Sequence, residues 1–504
     1  MIDLWSSSQV NNNNEQDLHP PSTIVHNSEA TLVAVESTIH EGDKGDSEEE
    51  KEDDEEQVLI PKVTFFPSLN DTRRAWILCR LREECVISVL DIGCGEGTLL
   101  SCLCNPPAFL DTSKENKEQE QRFDEIYSSS TDGLPDLHIS HLAGLDIASR
   151  ALTSCIARTA PESHLFQYHR DDLPRWEPLE VNIWHGSLSV YNPEFVDVEC
   201  IVSTEVIEHL PEDVLPEFAP TLLGIYRPRL LLITTPNYAF NARFSAPGRS
   251  HPGGIPDPTH RTNRAFRHSD HKFEWTPAEF KEYCTEAASA WGYTVEVDAI
   301  GLAREPDPWG RDEELGGASQ VALFRRIDTW QGRKHTNALP PEESAHKLLA
   351  THTHTPHPQT GKPESYDSVC ELVSKHMMSY YFDEGYSIWD LWVGNTISIA
   401  CGGRLDVLLD AIDSSPEMSL FRMEGVQARE WRVKFTGEKH EEAVEAAKKT
   451  HYWSRSPLQS PHNPIKDDEQ SQNGYKEVTS NWPQIPLDWS RGAEEWWSLG
   501  DEAE

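Results

Sequence analysis

The stretch that most constrains this chain is CVISVLDIGCGEGTLLSCL, residues 85–103. It begins with an apolar, β-branched run, continues with Gly93, Gly95 and Gly97, and ends in a run of helix-forming residues. This order predicts a strand, a tight turn and a helix. Glycine tolerates positive φ angles and lets the backbone approach a ligand closely, so the turn is a candidate ligand site.

Strand and helix patterns alternate along the chain from this stretch to about residue 330. The later strand patterns are LAGLDIA, VNIWHGSL, VECIVSTEV, RLLLITTP, YTVEVDAI and SQVALFRR. Such alternation predicts an α/β fold, with a mostly parallel sheet covered by helices on both faces. We expect seven strands, of which the last is antiparallel.

The composition divides the chain into five segments. The first is polar and then acidic, in EGDKGDSEEEKEDDEEQ, and is too poor in apolar residues to fold. The expected segments are a disordered acidic arm (1–60), the α/β domain (61–330) with a surface insertion (105–138), a histidine-containing linker (331–365), an accessory helical segment (366–450) and a disordered tryptophan-containing tail (451–504).

The charge and the apolar pattern limit the partners and the compartment. A formal net charge of -41 argues against nucleic-acid binding over the whole surface, but much of the acid lies in the N-terminal arm. The chain opens without a basic and apolar leader, and no apolar run reaches the roughly 18 residues of a membrane span. We therefore expect a soluble protein of the cytoplasm, the nucleus or both, without a membrane partner. Its ten cysteines are expected to be reduced thiols.

Acidic residues after the first two strands indicate which cofactor the glycine turn binds. The turn alone fits dinucleotides and S-adenosylmethionine alike. Asp91, just before Gly93 and Gly95, is typical of class I methyltransferases, where this acid lies near the methionine end of the cofactor. Asp146 ends the second strand and is placed to accept hydrogen bonds from two ribose hydroxyls. Ser187, after the third strand, is placed to reach the adenine, so we expect S-adenosylmethionine.

Carboxylates and imidazoles after the fourth and fifth strands predict a metal site. A helix through STEVIEHL would place Glu205, Glu208 and His209 on one face. His271 follows the fifth strand and belongs at the same edge of the sheet; His268 is the alternative, expected to contact solvent or RNA instead. Two carboxylates and two imidazoles suit Mn²⁺, Co²⁺ or Fe²⁺ better than Mg²⁺. The alternative is a solvated charged helix face.

Seven motifs together resemble those of the small-RNA 3′-terminal 2′-O-methyltransferases. They lie within residues 62–326 and read DIGCGEG, GLDI, HGS, TEVIEHL, TPNYAFN, DHKFEWT and SQVALF. The resemblance implies a class I, Rossmann-like methyltransferase fold and a divalent ion, Mg²⁺ or Mn²⁺, held by the residues that match Glu205, Glu208, His209 and His271. It also implies that the ion binds both hydroxyls of the terminal ribose, and that methylation of the 2′-hydroxyl protects the 3′ end of microRNA, siRNA or piRNA.

The four metal-ligand candidates are therefore also catalytic candidates. A bound cation would stabilise the alkoxide of a poor nucleophile such as a ribose hydroxyl and orient it toward the methyl group. Either His209 or His271 is a candidate to accept the proton.

A basic loop separates TPNYAFN from DHKFEW. It contains hardly any acid and carries Arg243, Arg249, Arg261, Arg264 and Arg267. We expect these arginines to neutralise the last phosphates of the RNA without contacting its bases.

The expected partner is the 3′ end of a small RNA, either single-stranded or held by an Argonaute. A further silencing-pathway protein is a candidate partner, and we expect the chain to be monomeric. Two other functions stay open. A class I methyltransferase for a small molecule or protein would not depend on metal, and a non-catalytic scaffold would not bind the cofactor.

Overall fold

The computed structural model describes residues 63–110, 134–161, 173–248, 254–330, 345–379, 382, 384–423 and 426–454. All of them belong to one compact unit. The expected acidic arm and the tail from residue 455 onward lie outside the described residues. Among the described residues, no helix is both long and apolar enough to cross a membrane.

Eight strands form the main sheet. They are β1 (Ser88–Ile92), β2 (His141–Asp146), β3 (Leu179–His185), β4 (Cys200–Thr204), β5 (Leu230–Pro236), β8 (Tyr293–Ile300), β9 (Ser319–Arg326) and β10 (Lys347–His354), with the short hairpin β6 (Ile255–Pro256) and β7 (Ala265–Phe266) between β5 and β8. The spatial order is β10-β3-β2-β1-β4-β5-β9-β8.

The predicted α/β fold is confirmed by this topology. Strands β1 to β5 pair in parallel, whereas β9 runs antiparallel to both of its neighbours. Every residue of β5 is buried, as expected for a central strand covered on both faces. The carboxyl ends of the five parallel strands therefore lie along one edge of the sheet, where ligands bind in such folds.

Helices cover both faces of the sheet and build the C-terminal part. They are α1 (Leu69–Glu83), α2 (Thr98–Leu103), α3 (Ser149–Thr159), α4 (Leu215–Ala219), α5 (Pro277–Trp291), α6 (Asp312–Leu315), α7 (Tyr366–Ser379), α8 (Ile388–Trp392), α9 (Thr396–Ala400), α10 (Leu405–Ser414) and α11 (Gly437–Ser454). Helix α5 begins at a capping box in which Thr276 and Glu279 exchange hydrogen bonds, and it ends at Gly292 in the left-handed conformation.

The expected linker over 331–365 is wrong at residues 347–354. Strand β10 pairs antiparallel with β3, from Lys347 opposite His185 to His354 opposite Leu179, and so adds an eighth strand to the sheet. The pairing covers the edge of β3, which removes an unpaired row of backbone groups.

The C-terminal part has a core of its own, which contains more than helices. Strands β11 (Tyr386–Ser387), β12 (Met418–Phe421) and β13 (Arg432–Phe435) form a separate sheet in the order β11-β13-β12. Helices α7 to α10 pack against it in a single apolar cluster. The accessory helical segment expected over 366–450 therefore contains helices and also a three-stranded sheet.

Residues 105–110 are part of this second core and not of a surface insertion. The Phe109 side chain is buried, with its ring centroid 5.1 Å from that of Trp392. The indole nitrogens of Trp176 and Trp392 donate to the carbonyl of Ala108, at 3.0 and 2.8 Å. Residues 111–133 of the predicted insertion lie outside the described residues.

Replacing Phe109 with alanine should therefore destabilise the whole unit. Truncation of a fully buried phenylalanine costs about 3–5 kcal/mol, and urea denaturation should show this loss in the free energy of unfolding. Phe421→Ala is the matched control, because Phe421 is 49% exposed in the same part of the chain and its loss should change stability by about 0.5 kcal/mol or less. Equal, small losses in the two variants would contradict the assignment of Phe109 to the core.

Candidate functional site

Three glycines with positive φ shape the turn between β1 and α2. A Cβ atom at Gly93 would lie 2.3 Å from Val206 Cγ2, and one at Gly97 would lie 2.6 Å from Cys155 Sγ. A Cβ atom at Gly95 would meet nothing within 4 Å. The outer two glycines therefore serve close packing, whereas Gly95 borders open space in which a cofactor would fit.

The predicted cofactor acids lie together at the ends of β1 and β2. Asp146 accepts hydrogen bonds from the backbone N–H groups of Gly95 and Ala148, at 2.8 and 2.7 Å. Its carboxylate keeps lone pairs free for further donors such as ribose hydroxyls. Asp91 is buried, and this burial together with the charge of Asp146 raises its pKa to about 7. A cationic group of the cofactor beside Asp91 would restore the ionised form.

Ser187 lies at the same edge, in the loop after β3. Its hydroxyl exchanges a hydrogen bond with that of Ser189 at 2.9 Å, and the N–H of the preceding Gly186 donates to the carbonyl of Asp146 at 3.0 Å. Ile147, which was not predicted as a site residue, follows Asp146 directly and is 69% exposed. A large apolar side chain exposed beside the predicted ribose site is suited to pack on the face of an adenine ring. The position of Ile147, directly after Asp146, is the sequence feature that could have identified it.

Three of the four predicted metal ligands come together. One potential ligand atom each from Glu208, His209 and His271 lies within 4.8 Å of the others. Glu208 and His209 follow β4, whereas His271 follows the basic loop, and the N–H of Lys272 donates to the carbonyl of Glu208 at 2.8 Å. This backbone bond joins the two segments that carry the ligands.

Hydrogen bonds orient both imidazoles. The Nδ1 of His271 donates to Glu274 Oε1 at 2.7 Å, and the Nδ1 of His209 donates to the carbonyl of Asp270 at 3.3 Å. Glu274 is fully buried, yet its bonds from His271 and the nearby Arg267 charge hold its pKa below the usual value. In this tautomer the Nε2 lone pair of each ring remains for a metal ion.

The electrostatics of Glu208 are suited to a bound cation. Its side chain is fully buried; Oε2 accepts a hydrogen bond from Thr235 at 3.0 Å, whereas Oε1 has no hydrogen-bond partner among the described residues. Burial, and then the charge of Glu205, raise the pKa of Glu208 well above its usual value. Burial and the neighbouring His271 also lower the pKa of His209, which favours its neutral, metal-binding form. A buried carboxylate and two neutral imidazoles are suitable ligands for a divalent transition-metal ion.

Glu205 lies outside this group of three. Its carboxylate is 2.7 Å from the guanidinium of Arg73 and accepts a hydrogen bond from Thr234 at 2.8 Å. Its φ of 52° is also unusual for a residue with a side chain. Arg73, which lies in α1 and forms this ion pair with Glu205, was not predicted as a site residue.

The predicted helix through STEVIEHL is wrong. Residues Ile207–His209 form a single 3₁₀ turn, and α4 begins only at Leu215. Pro211 disfavours the helical conformation at the residue before it, and Leu210 is extended, so the turn does not continue as a helix. Glu208 and His209 therefore meet as neighbours on a tight turn and not at helical spacing.

The prediction that the loop arginines bind phosphate is corrected for three of them. Arg243 is buried and paired with Asp312 at 2.5 Å. Arg264 forms an ion pair with Glu279 at 2.7 Å, and Arg267 donates to Asn241 at 2.5 Å and to the carbonyl of Ala318 at 2.8 Å. These guanidinium groups hold the loop to the sheet.

Of the remaining two arginines, Arg261 is exposed and Arg249 lies outside the described residues. Arg261 contacts Glu212 at 3.4 Å, the longest of these ion pairs, and donates to the Thr259 hydroxyl at 3.0 Å and to the carbonyl of Lys272 at 3.3 Å.

The sheet order, the glycine turn after β1 and the acids that end β1 and β2 define a class I methyltransferase domain. No protein-family model matches the chain. A small RNA 2′-O-methyltransferase of Arabidopsis thaliana is 29% identical over 267 residues, which are 52% of this chain and 23% of the relative. One of Xenopus tropicalis is 33% identical over 189 residues, which are 37% of this chain and 44% of the relative. Over these residues the chain is similar to small RNA 2′-O-methyltransferases.

Among solved structures, the chain is similar to that of the small RNA methyltransferase HEN1. The identity is 24%, the match covers 62% of this chain and 29% of that one, and the TM-score is 0.40. The fold assignment therefore depends on the strand order and not on this superposition. The chain spans less than half the length of the Arabidopsis and Xenopus relatives.

Replacing Glu274 with glutamine should weaken metal binding although Glu274 is not a ligand. Loss of the carboxylate that orients a ligating histidine typically lowers metal affinity by about 10–100-fold. Titration of the protein with Mn²⁺, followed by electron paramagnetic resonance, measures this affinity directly. Glu279→Gln is the matched control, because Glu279 is the next acid in the chain but pairs with Arg264. Equal Mn²⁺ affinity of both variants would contradict the assigned role of Glu274.

Proposed function

We propose that this protein transfers a methyl group from S-adenosylmethionine to the 2′-hydroxyl of the 3′-terminal nucleotide of a small RNA, with the help of a divalent metal ion. The observation that supports the proposal most strongly is that Glu208, His209 and His271 come together at the sheet edge that also bears the glycine turn, with Glu208 and His271 buried and His209 half-buried. The names of the similar proteins support the RNA substrate and the 2′-hydroxyl.

The cofactor would occupy the space that borders Gly95. There the carboxylate of Asp146 would bind the ribose and the Ile147 side chain would cover one face of the adenine. Asp91 would face the positively charged methionine part of the cofactor, which accounts for a carboxylate buried at this position. The donor methyl group would then lie toward the ends of β4 and β5, where the metal ligands are.

Glu208, His209 and His271 would hold the metal ion, which when bound lowers the pKa of a hydroxyl group in contact with it. Both Nδ1 atoms already donate hydrogen bonds, and both Nε2 atoms are needed as ligands. Neither ring therefore keeps a nitrogen for the proton of the 2′-hydroxyl. We accordingly propose that water takes this proton, in place of the histidine base considered from the sequence.

The restriction to a 3′ end follows from the same ligand set. Three protein ligands leave open positions on a six-coordinate ion, and two neighbouring hydroxyls can fill adjacent ones. Only the last nucleotide of an RNA has free 2′- and 3′-hydroxyls together. Among the described arginines of the loop, Arg261 is the exposed one and would contact the adjacent phosphate.

Methylation assays with paired RNAs test this proposal. With labelled S-adenosylmethionine and Mn²⁺, a short single-stranded RNA with a 3′-hydroxyl should be labelled, whereas its 3′-deoxy counterpart should not. A chelator should abolish the labelling, and His271→Ala should lower it by about a hundredfold or more. His141→Ala is the control, because His141 is an exposed histidine at the opposite edge of the sheet.

Three results would contradict the proposal in different ways. Equal labelling of both RNAs would remove the role of the 3′-hydroxyl. Activity that is indifferent to chelator would leave a methyltransferase for which the metal group is irrelevant. A protein that binds neither S-adenosylmethionine nor its product would be a scaffold.

A further inference from the structure

His346 lies outside the part of the chain that resembles methyltransferases, yet it contacts the cofactor edge of the sheet. It directly precedes β10, whose first residue Lys347 pairs with His185, the last residue of β3. The Nε2 of His346 donates a hydrogen bond to the carbonyl of Ser187 at 2.8 Å. A side chain from beyond the methyltransferase core thus holds the loop that follows β3.

The ring of His346 also fills space that the sequence of this loop leaves open. A Cβ atom at Gly186 would lie 2.3 Å from the His346 ring, so glycine at 186 makes room for the imidazole. On its other side the ring lies 5.6 Å from the ring of Phe195, which is itself buried. The Nδ1 of His346 is buried and has no hydrogen-bond partner among the described residues, which fits a neutral ring with a single N–H donor.

The loop held by His346 is bonded in turn to the predicted ribose site. The N–H of Gly186 donates to the carbonyl of Asp146 at 3.0 Å, and His185 contacts the carbonyl of Ile147 at 3.1 Å. Asp146 bonds onward to the N–H of Gly95 in the glycine turn. Hydrogen bonds therefore link His346, through the β3 loop and Asp146, to the glycine turn.

We propose that His346 is a positioning residue for S-adenosylmethionine, which holds the Gly186–Ser187 loop in the conformation that binds the adenosine part of the cofactor. The inference rests on the proposed function, because it assumes that the cofactor occupies the space beside Gly95. Strand β10 then has a specific role: it brings His346 to the carboxyl end of β3 and makes the C-terminal part a component of the cofactor site.

Calorimetric titration with S-adenosylhomocysteine, without RNA or metal, tests this role. His346→Ala should raise the dissociation constant about fivefold to twentyfold, the range expected for losing one buried hydrogen bond and its ring packing. His346→Phe keeps a ring against Gly186 but lacks the donor, and it should raise the constant about threefold to tenfold. In steady-state assays both variants should raise the KM for S-adenosylmethionine by similar factors, with kcat within about twofold of the unsubstituted protein.

His352→Ala is the matched control. His352 lies within β10 and, like His346, is half-buried with a ring nitrogen that lacks a partner among the described residues. It pairs with Val181, however, away from the carboxyl end of β3. Its variant should bind S-adenosylhomocysteine like the unsubstituted protein. If His346→Ala does not fold, as judged by circular dichroism, the comparison with His352→Ala is made with His346→Phe instead.

The outcomes separate this inference from the proposed function. If the unsubstituted protein binds S-adenosylhomocysteine and both His346 variants bind it equally well, the positioning role is wrong and the proposed function stands. Equal weakening by His346→Ala and His352→Ala would also overturn the role, since any disturbance of β10 would then suffice. If the unsubstituted protein does not bind S-adenosylhomocysteine, the proposed function fails first and the inference fails with it.

Discussion

The burial of the Glu208 carboxyl group is the constraint on which this site depends. Glu208 is fully buried and one of its oxygens has no partner among the described residues. An unpaired buried charge is costly, and a carboxyl group in such a place stays neutral unless a cation joins it. Asp91, near the end of β1, is a second buried carboxyl group, and its burial together with the charge of Asp146 raises its pKa to about 7. The two acids lie where a metal ion and a positively charged cofactor are proposed to bind.

The surroundings of Glu208 keep the ligands in place before any ion is bound. The backbone bond from Lys272 ties the His271 segment to the Glu208 turn, and Glu274 fixes the tautomer of His271. Arg267 supports Glu274 in turn, through its backbone N–H at 2.7 Å. This preorganisation explains why several arginines of the loop form hydrogen bonds and ion pairs within the protein. These bonds stabilise the arrangement in which two imidazoles and one carboxylate face the same point.

The local parts of the site were predictable from sequence because they depend on neighbouring residues. A glycine turn between a strand and a helix, and an acid at the end of a strand, are set by the chain over a few positions, so Gly95, Asp91 and Asp146 were placed correctly at the sheet edge. The parallel order of the strands then brings the segments of Glu208 and His271 together.

What could not be predicted depends on partners distant in sequence. Arg243 and Arg267 look like phosphate ligands in the sequence, and only the fold reveals their acceptors, Asp312 and Asn241. Strand β10 reads as a polar, histidine-rich linker because a strand that pairs at a sheet edge needs no continuous apolar run. Phe109 looked like part of an insertion because the core that buries it lies almost 300 residues further along the chain. Glu205, too, was predicted as a ligand from its spacing and from the family resemblance, neither of which reveals that Arg73 lies beside it.

The most direct test of the central claim is anomalous diffraction at the manganese edge from crystals grown with Mn²⁺ and S-adenosylhomocysteine. We predict one strong anomalous peak within bonding distance of Glu208, His209 and His271, on the side of the cofactor where the methyl group would be. The same map would show whether Glu205 leaves Arg73 to become a fourth ligand. A manganese peak elsewhere, or none at these three residues at saturating Mn²⁺, would contradict the claim that a metal ion completes this buried site.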